Sequence, residues 1–273
     1  MGQNYVHGYH PREKQRLQDQ ADVLVALLHG GTHYKKGAQV LEAGCGIGAQ
    51  TVTLARNSPD ARFTAIDISA NSIAEAAKAV RAAGLDNVGF EIADIFELRF
   101  EPESFDHVFV CHVLEHLSRP AQALEALKSL IKVGGTITVF EGDHASAYFY
   151  PDSQAARRAI HCQVELQRRA GGNALIGREL YPLLQQAGFD CVDVSPRMVY
   201  VDASKPELVS GFTRDTFTAM IEGVRDAALA AEIIDAATFD AGIRDLYRTA
   251  EADGVFCYTF FKATAFKATA VKR

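Results

Sequence analysis

The sequence lacks the long apolar segments that membrane insertion and secretion require. No apolar run reaches the roughly 20 residues that a helix needs to cross a bilayer. Residues 1–16 are polar and charged, without the apolar stretch of a signal peptide. We therefore expect a cytoplasmic protein without a membrane partner.

Paired cysteines and excess positive charge are also absent. The five cysteines include no C-x-x-C pair, which argues against a disulfide framework. Cys45 and Cys111 are best interpreted as small buried side chains in a reducing compartment. The 28 basic residues are outnumbered by 34 acidic ones, so no electrostatic attraction to nucleic acid is expected. A hydrophobic content of 48% in 273 residues is typical of one globular α/β domain with insertions.

Glycines, by contrast, are concentrated after the first predicted strand, where they indicate a binding site. An apolar run typical of a buried parallel strand ends at Leu41. It is followed by Gly44, Gly46 and Gly48, and residues 49–56 are then predicted to begin a helix. Glycine lets the backbone approach a ligand that lies on such a turn. A strand, a glycine loop and a helix form the nucleoside-sized site at the carboxyl edge of a doubly wound sheet.

An acidic residue before the first glycine distinguishes between two ligands. Dinucleotide-binding enzymes favour G-x-G-x-x-G, whose last glycine lets the helix hold a pyrophosphate. Here Glu42 lies two residues before Gly44. A carboxylate would repel a pyrophosphate, but it accepts hydrogen bonds from an ammonium group. The loop therefore favours S-adenosylmethionine, which has an adenosine and an ammonium and no phosphate.

Two further acids follow the next two predicted strands. Asp67 ends the strand at residues 63–67, where a carboxylate can accept hydrogen bonds from both ribose hydroxyls. Asp94 follows the strand at residues 88–93, where it can accept from the adenine amino group while Ile95 covers the ring. Either acid alone could simply close a strand end. Three acids at the ends of three successive strands favour a nucleoside site.

Six ordered motifs span residues 42–136: EAGCGIG, DIS, ADI, SFD, LEHL and KVGGT. They resemble those of class I S-adenosylmethionine-dependent methyltransferases, most closely the UbiE/menaquinone-biosynthesis-like enzymes of small molecules. The resemblance implies a Rossmann-like α/β fold: a seven-stranded, mostly parallel sheet whose last strand lies antiparallel between the fifth and the sixth. It implies S-adenosylmethionine as cofactor and S-adenosylhomocysteine as product. The expected cofactor-binding residues are Glu42, Gly44, Cys45, Gly46, Gly48, Gln50, Thr51, Asp67, Ile68, Asp94, Ile95 and Cys111.

The order of predicted elements divides the chain. Residues 1–37 are interpreted as an N-terminal lid segment and helix, with residues 12–29 as an amphipathic helix. Residues 38–273 are interpreted as the methyltransferase domain, with helical insertions at about 143–176 and 203–252, where regular alternation of strand and helix breaks.

Four residues of the N-terminal segment are candidates for closing the cofactor site. Tyrosine rings can cover a sulfonium with their π faces, and an arginine can pair with the methionine carboxylate. The alternative is a frayed end with solvated charges. The candidates are Tyr5, Tyr9, Arg12 and Arg16.

Candidate catalytic residues follow the fourth and fifth predicted strands. Methyl transfer needs an aligned acceptor and, where the acceptor is not already nucleophilic, a group that takes its proton. In the methyltransferase fold these loops face the transferable methyl group. Histidine suits proton transfer near neutral pH, so His144 is the first candidate base and His112 the second. Glu141 is a candidate acceptor contact; the alternative is that it only closes its strand. His144 could instead be a surface or capping residue.

His112, Glu115 and His116 also match H-x-x-E-H, a helical zinc motif. Arg119 and Pro120 follow almost at once, so no long helix carries both imidazoles, and no third ligand is evident. We therefore expect no metal and interpret Glu115 and His116 as hydrogen-bonding partners under the cofactor.

Two stretches of the first insertion complete the candidate site. The aromatic residues 148–150 are expected to pack over an acceptor; the alternative is that they form a small core under the lid. The polar residues His161, Gln163, Glu165 and Gln167 are expected to form the solvated face of a helix at residues 153–170.

These patterns predict a methyltransferase with a small-molecule acceptor whose reacting atom, N, O, S or C, stays open. Two alternatives remain: methylation of a protein side chain, and a catalytically silent S-adenosylmethionine-binding scaffold or sensor. A homodimer through the lid helices is a further expectation.

Overall fold

Helices and strands alternate through the first half of the chain in the computed structural model, which describes residues 24, 25 and 27–268. The strands are β1 (Gln39–Ala43), β2 (Arg62–Asp67), β3 (Val88–Ile92), β4 (Phe105–Cys111) and β5 (Ile131–Gly142). The helices are α1 (Ala49–Asn57), α2 (Ala70–Ala82) and α3 (Pro120–Leu130). Residues 24, 25 and 27–29 are also helical, and residues 12–23 of the predicted first helix lie outside the described part.

Helices dominate the second half. The elements after β5 are β6 (Tyr148–Tyr150), α4 (Gln154–Arg169), α5 (Leu180–Gln186), β7 (Asp190–Val201), α6 (Pro206–Leu208), a π-helix (Val209–Thr218), α7 (Ala219–Gly223), α8 (Arg225–Ala230), α9 (Ala236–Arg248) and β8 (Val255–Phe266). The 3₁₀ turns are Leu114–His116, His144–Ser146 and Ile176–Glu179. Both ranges predicted as insertions contain helices, while the division of the chain into a lid segment and a domain stays a prediction. No helix among the described residues is long and apolar enough to cross a membrane.

The strands form one mixed sheet. β3, β2, β1, β4 and β5 are parallel neighbours in that order, and β8 runs antiparallel to β5. β7 pairs antiparallel with residues 256–266 of β8, so it occupies the edge of β8 opposite to β5. The predicted Rossmann-like fold, with the last strand between the fifth strand and the strand that follows α5, is thereby confirmed. The count of seven strands is wrong, because Tyr148–Tyr150 adds a short eighth strand beside β8.

Apolar clusters cover both faces of the sheet. Phe256, Tyr258 and Phe260 alternate along β8 and pack with the π-helix and α9, which belong to the second predicted insertion. Ala263 and Ala265, at the other parity of β8, pack in the cluster that contains α3 and α5. Successive side chains of a strand point to opposite faces. The helical insertions therefore complete the core on one face and leave the carboxyl ends of the parallel strands at an edge.

Gly48 sets the close contact between the first two helices. It is the N-cap of α1 and has a φ of 85°, in the left-handed region. A Cβ atom at Gly48 would lie 2.9 Å from the Cα of Ala76 in α2. Both the backbone conformation and the contact therefore favour glycine.

Gly48→Ala should lower the free energy of unfolding by about 2–4 kcal/mol, because left-handed strain adds to overpacking against α2. Gly84→Ala is the matched control: Gly84 has a φ of +70° with nothing within 4 Å of its Cβ position, so strain alone acts there. Urea unfolding followed by circular dichroism measures both losses. Equal losses would contradict the contact with Ala76.

Candidate active site

Acidic side chains converge where the parallel strands end. Glu42 lies one residue before the end of β1, Asp67 ends β2, and Glu141 lies one residue before the end of β5. β1 and β5 both pair with β4, so their carboxyl ends share one edge of the sheet. Cys111 ends β4 between them, and burial together with the charges of Glu141, Glu42 and Glu115 raises the pKa of its thiol.

The glycine loop is shaped partly by contacts within the protein. Gly44 has a φ of +79°, and its Cβ would lie 2.4 Å from the Cγ2 of Val113. Gly46 faces open space, since no described residue has an atom within 4 Å of its Cβ position. The side chain of Cys45 is buried. Packing against Val113 and Ala76 is therefore a further reason for glycine at 44 and 48, while Gly46 borders open space. The contact of the three glycines with a ligand stays a prediction.

Glu42 is a buried acid without full compensation. Its side chain is 2% exposed, and its Oε2 has no hydrogen-bond partner among the described residues. Burial raises its pKa to about 8; the adjacent Thr51 hydroxyl partly offsets this rise, and the charge of Asp67 adds to it. Because Glu42 lies beside the glycine loop, a cation bound there would meet a carboxyl that lacks a partner.

The two predicted nucleoside acids are engaged with backbone amides. Asp67 Oδ2 accepts from Gly46 N and its Oδ1 from Ser69 N, both at 2.9 Å. Asp94 Oδ1 accepts from Phe96 N at 2.8 Å. An ionised carboxylate has about four lone-pair sites, so each acid retains acceptor capacity. Asp67 thereby ties the glycine loop to the end of β2.

The other predicted cofactor residues differ in accessibility. Ile68 is 63% exposed, whereas Ile95 packs in the core. Gln50 is hydrogen-bonded to His29, and the Thr51 side chain is fully buried. Thr51 therefore lies under the loop, and Ile68 is the apolar residue that solvent reaches. Tyr5, Tyr9, Arg12 and Arg16 lie outside the described residues.

Glu115 is the centre of a cluster of three imidazoles. Its Oε1 lies 3.9 Å from His112 Nδ1 and 3.8 Å from His116 Nε2, and its Oε2 lies 3.6 Å from His144 Nε2. These distances exceed those of ordinary hydrogen bonds. Burial opposes ionisation of Glu115, but His116, His144 and His112 outweigh it and hold its pKa well below the ordinary value. Glu115 is therefore an ionised carboxylate inside the protein.

Two glutamines of α4 support this carboxylate. Gln167 Nε2 donates to the Glu115 carbonyl at 3.0 Å and to its Oε2 at 3.1 Å, and Gln163 Nε2 donates to Gln167 Oε1 at 2.9 Å. Both glutamines are buried, whereas His161 is exposed. The expectation of one solvated polar face is therefore wrong for Gln163 and Gln167, because Gln167 faces Glu115 and Gln163 faces Gln167.

His144 is neither a surface residue nor a helix cap. It is 8% exposed, and its Nδ1 is 3.1 Å from the Tyr258 hydroxyl in a hydrogen bond. Its ring centroid lies 6.4 Å from that of Phe217 in the π-helix. The cap of the 3₁₀ turn is the neighbouring Asp143, which accepts from Ala145 N. Tyr258 and Glu115 thus hold the imidazole from both sides.

Glu141 fixes the turn that carries His112. Its Oε1 accepts from Val113 N at 3.0 Å and from Leu114 N at 2.7 Å. The turn begins at His112, whose φ is 54°. Burial and the nearby charge of Glu115 raise the pKa of Glu141 well above its ordinary value. Glu141 therefore joins the end of β5 to the loop after β4.

The structure corrects one step of the argument against the zinc motif. Leu114–His116 is a 3₁₀ turn of three residues, in agreement with the expectation that no long helix carries both imidazoles. A third donor does exist, however. One ligand atom each from His112, Glu115 and Glu141 lies within 4.8 Å of the other two.

The aromatic residues after β5 do not form one surface. Phe149 is buried and stacks on Phe256 with a centroid distance of 6.3 Å, whereas Tyr148 and Tyr150 are at least half exposed. Residues 148–150 form a strand whose side chains alternate between its faces, so the three rings do not act together. Phe149 fits the alternative of a small core, and packing of Tyr148 and Tyr150 over an acceptor stays a prediction.

Three residues of the site escaped the sequence patterns: Tyr258, Gln163 and Gln167. Tyr258 lies between Phe256 and Phe260 on the apolar side of β8, where its hydroxyl is a polar group among aromatic rings. Gln163 and Gln167 share a helical face with buried Ile160, at spacings of three and seven residues. A polar residue on an apolar face is the signal that marks each of them.

Comparison with known proteins assigns the family. Residues 34–188 match the family model described as a methyltransferase domain, which is more than half of the chain. The chain therefore belongs to this methyltransferase family.

Curated relatives agree with this assignment, and solved structures share the fold. The 27-O-demethylrifamycin SV methyltransferase of Amycolatopsis mediterranei is 28% identical over 88% of this chain and 82% of its own length. A protein of transposon TN4556 from Streptomyces fradiae and a methyltransferase of Schizosaccharomyces pombe are 33% and 30% identical over 74% and 54% of this chain, which spans 58% and 55% of their lengths. The [4+2]-cyclase SpnF has 21% identity and a TM-score of 0.57 over 98% of this chain and 86% of its own.

A further structure shares the fold and contains the expected product. Phosphoethanolamine N-methyltransferase 2 of Haemonchus contortus, in complex with phosphomonomethylethanolamine and S-adenosylhomocysteine, has 17% identity and a TM-score of 0.58 over 95% of this chain and 59% of its own. The predicted fold, enzyme class and cofactor agree with this family. The UbiE-like subgroup stays a prediction.

Glu42→Gln should make the ligand-free protein more stable, increasingly so as pH rises. The folded pKa of Glu42 is about 8 against an ordinary value of 4.5, so the wild type loses stability between these values, where only the unfolded chain releases the proton. The advantage of the variant should grow by up to about 1.4 kcal/mol per pH unit from about pH 5 to pH 8. Urea unfolding at several pH values measures it, with exposed Glu207→Gln as control. A pH-independent difference would contradict the buried state of Glu42.

Proposed function

We propose that this protein transfers the methyl group of S-adenosylmethionine to a small-molecule acceptor. The observation that carries the proposal is the buried carboxyl of Glu42 beside Gly46: within the described part of the chain, its Oε2 has no partner and no atom fills the space at Gly46. Asp67 and Asp94 end or follow the neighbouring strands at the same edge of the sheet. A ligand with an ammonium group and an adenosine satisfies all three acids, and a dinucleotide does not.

The cofactor-binding part of the proposal assigns one role to each acid. Glu42 accepts from the ammonium, Asp67 from the ribose hydroxyls and Asp94 from the adenine amino group. Exposed Ile68 is the apolar residue available to cover the nucleoside. An ammonium at Glu42 favours the ionised carboxylate, so cofactor binding near neutral pH should release a proton.

The acceptor part of the proposal uses the imidazole cluster. His144 takes a proton from the acceptor, Tyr258 fixes the orientation of its ring, and the carboxylate of Glu115 stabilises the resulting imidazolium. His112 is the second candidate base, and Glu141 acts by holding the turn that carries it. Acceptor oxygen, or another nucleophile, then attacks the methyl carbon as the C–S bond breaks toward sulfur.

A small-molecule acceptor is supported by a relative that covers most of both chains and is named for methylating a demethylrifamycin. Methylation of a protein side chain is the alternative within the same chemistry. We also retain three expectations from the sequence: the UbiE-like subgroup, a location in the cytoplasm, and a homodimer without nucleic-acid or membrane partners.

S-Adenosylhomocysteine should bind one molecule per chain in calorimetric titration, whereas NADH should not bind. Glu42→Gln should weaken S-adenosylhomocysteine at least tenfold, because it removes the anion that meets the ammonium, and Glu207→Gln should leave it unchanged. Titrations in buffers of different ionisation enthalpy detect the released proton. Binding of NADH in place of the thioether nucleoside would overturn the proposal.

Labelled S-adenosylmethionine then separates the alternative functions. The small-molecule fraction of a cell extract should accept the label, whereas label in the protein fraction would support a side-chain acceptor. Cofactor binding without transfer to either fraction would support the silent scaffold.

With an acceptor identified, His144→Gln should lower kcat by about 10²–10⁴-fold, the usual contribution of a general base. The affinity for S-adenosylhomocysteine should stay unchanged, and exposed His161→Gln should have no effect on either quantity. Unchanged methyl transfer by His144→Gln would remove His144 from the role of base.

A further inference from the structure

We infer that His112, Glu115 and Glu141 form a binding site for a divalent transition-metal ion at the ends of β4 and β5. One donor atom from each lies within 4.8 Å of the other two. Ligands of one ion lie about 3 to 4 Å apart at metal–ligand distances of about 2.1 Å, so small side-chain rotations bring these three onto a common ion. One imidazole and two carboxylates suit ions such as Mn²⁺, Fe²⁺ and Zn²⁺.

Glu141 gives the second, independent reason to expect a ligand. Its Oε1 is satisfied by two backbone amides, but its Oε2 is buried with no hydrogen-bond partner among the described residues. A buried polar atom without a partner costs free energy, and a cation at that atom removes the cost. The same ion offsets the repulsion between the carboxylates of Glu115 and Glu141.

The surroundings orient the two carboxylates for this role. Gln167 donates to Glu115 Oε2, and Val113 and Leu114 donate to Glu141 Oε1. The remaining oxygens, Oε1 of Glu115 and Oε2 of Glu141, are therefore the ligand atoms. Hydrogen bonds to the second oxygen of a carboxylate orient metal ligands in proteins. The His112 side chain is 21% exposed, which gives the ion a path from solvent.

The site also has a use in methyl transfer, although this step depends on the proposed function. Three protein ligands leave coordination positions open for an acceptor hydroxyl, whose pKa falls on the ion. The hydroxyl proton passes to His144, and the oxygen forms a bond to the methyl carbon. The C–S bond breaks with its electron pair on sulfur, which leaves S-adenosylhomocysteine. An acceptor with an ionisable hydroxyl fits this site best.

Mn²⁺ binding to the chelator-treated full chain, without cofactor or acceptor, tests the site. Electron paramagnetic resonance measures free Mn²⁺ during the titration, and one bound ion per chain is expected. His112→Ala and Glu141→Gln should each weaken binding at least tenfold. The exposed residues His161 and Glu207 provide matched controls, and His161→Ala and Glu207→Gln should bind Mn²⁺ as the wild type does.

The absorption spectrum of the wild type with Co²⁺ tests whether the protein binds a metal ion, even if a variant fails to fold. Visible bands of cobalt bound by nitrogen and oxygen are expected, and Zn²⁺ should displace them. Absence of Mn²⁺ binding and of cobalt bands, or equal Mn²⁺ binding by all folded variants, would overturn the inference. The metal-binding experiments contain no cofactor, so their failure would not affect the test of the proposed function, which is the binding of S-adenosylhomocysteine.

Discussion

The ionised carboxylate of Glu115 is the interaction on which the acceptor half of the candidate site depends. Taking a charge out of water costs several kcal/mol unless partners compensate it. Here three imidazoles and the Gln167 amide surround the carboxylate, and its pKa is held below the ordinary value. The turn after β4 supplies His112 and His116, β5 leads into His144, and α4 supplies Gln167. One charge therefore ties the parallel sheet to the first helical insertion.

The cofactor half of the candidate site contains a buried acid of the opposite kind, with a raised pKa. Glu42 is buried like Glu115, but no cation compensates it among the described residues, and burial raises its pKa to about 8. The fold thus keeps an acid in a state that costs stability and that a bound cation would relieve. Functional sites commonly carry such a cost, which the rest of the structure offsets. The aromatic cluster around Phe256, Tyr258 and Phe260 provides part of that support on one face of the sheet.

The sequence predicted the local features well, but it predicted poorly the features that depend on packing between elements far apart in the chain. The glycine loop, the acids at strand ends and the position of the antiparallel β8 follow from short motifs and from the family they resemble. The inward orientation of Gln163 and Gln167 depends on how α4 packs, which a helical periodicity with many polar residues leaves open. The meeting of Glu141 with His112 and Glu115 joins residues far apart in sequence, and only the parallel pairing of β4 and β5 brings them together. The role of Gly48 was hidden for the same reason, because its neighbour Ala76 belongs to another helix.

A crystal structure of the complex with S-adenosylhomocysteine is the most direct test of whether the acids at the ends of β1 and β2 bind a cationic nucleoside. The account predicts electron density with the ammonium at Glu42 Oε2, the ribose at Asp67 and the sulfur toward the end of β4. Density for the ligand elsewhere, or an ammonium away from Glu42 with its Oε2 still without a partner, would contradict it.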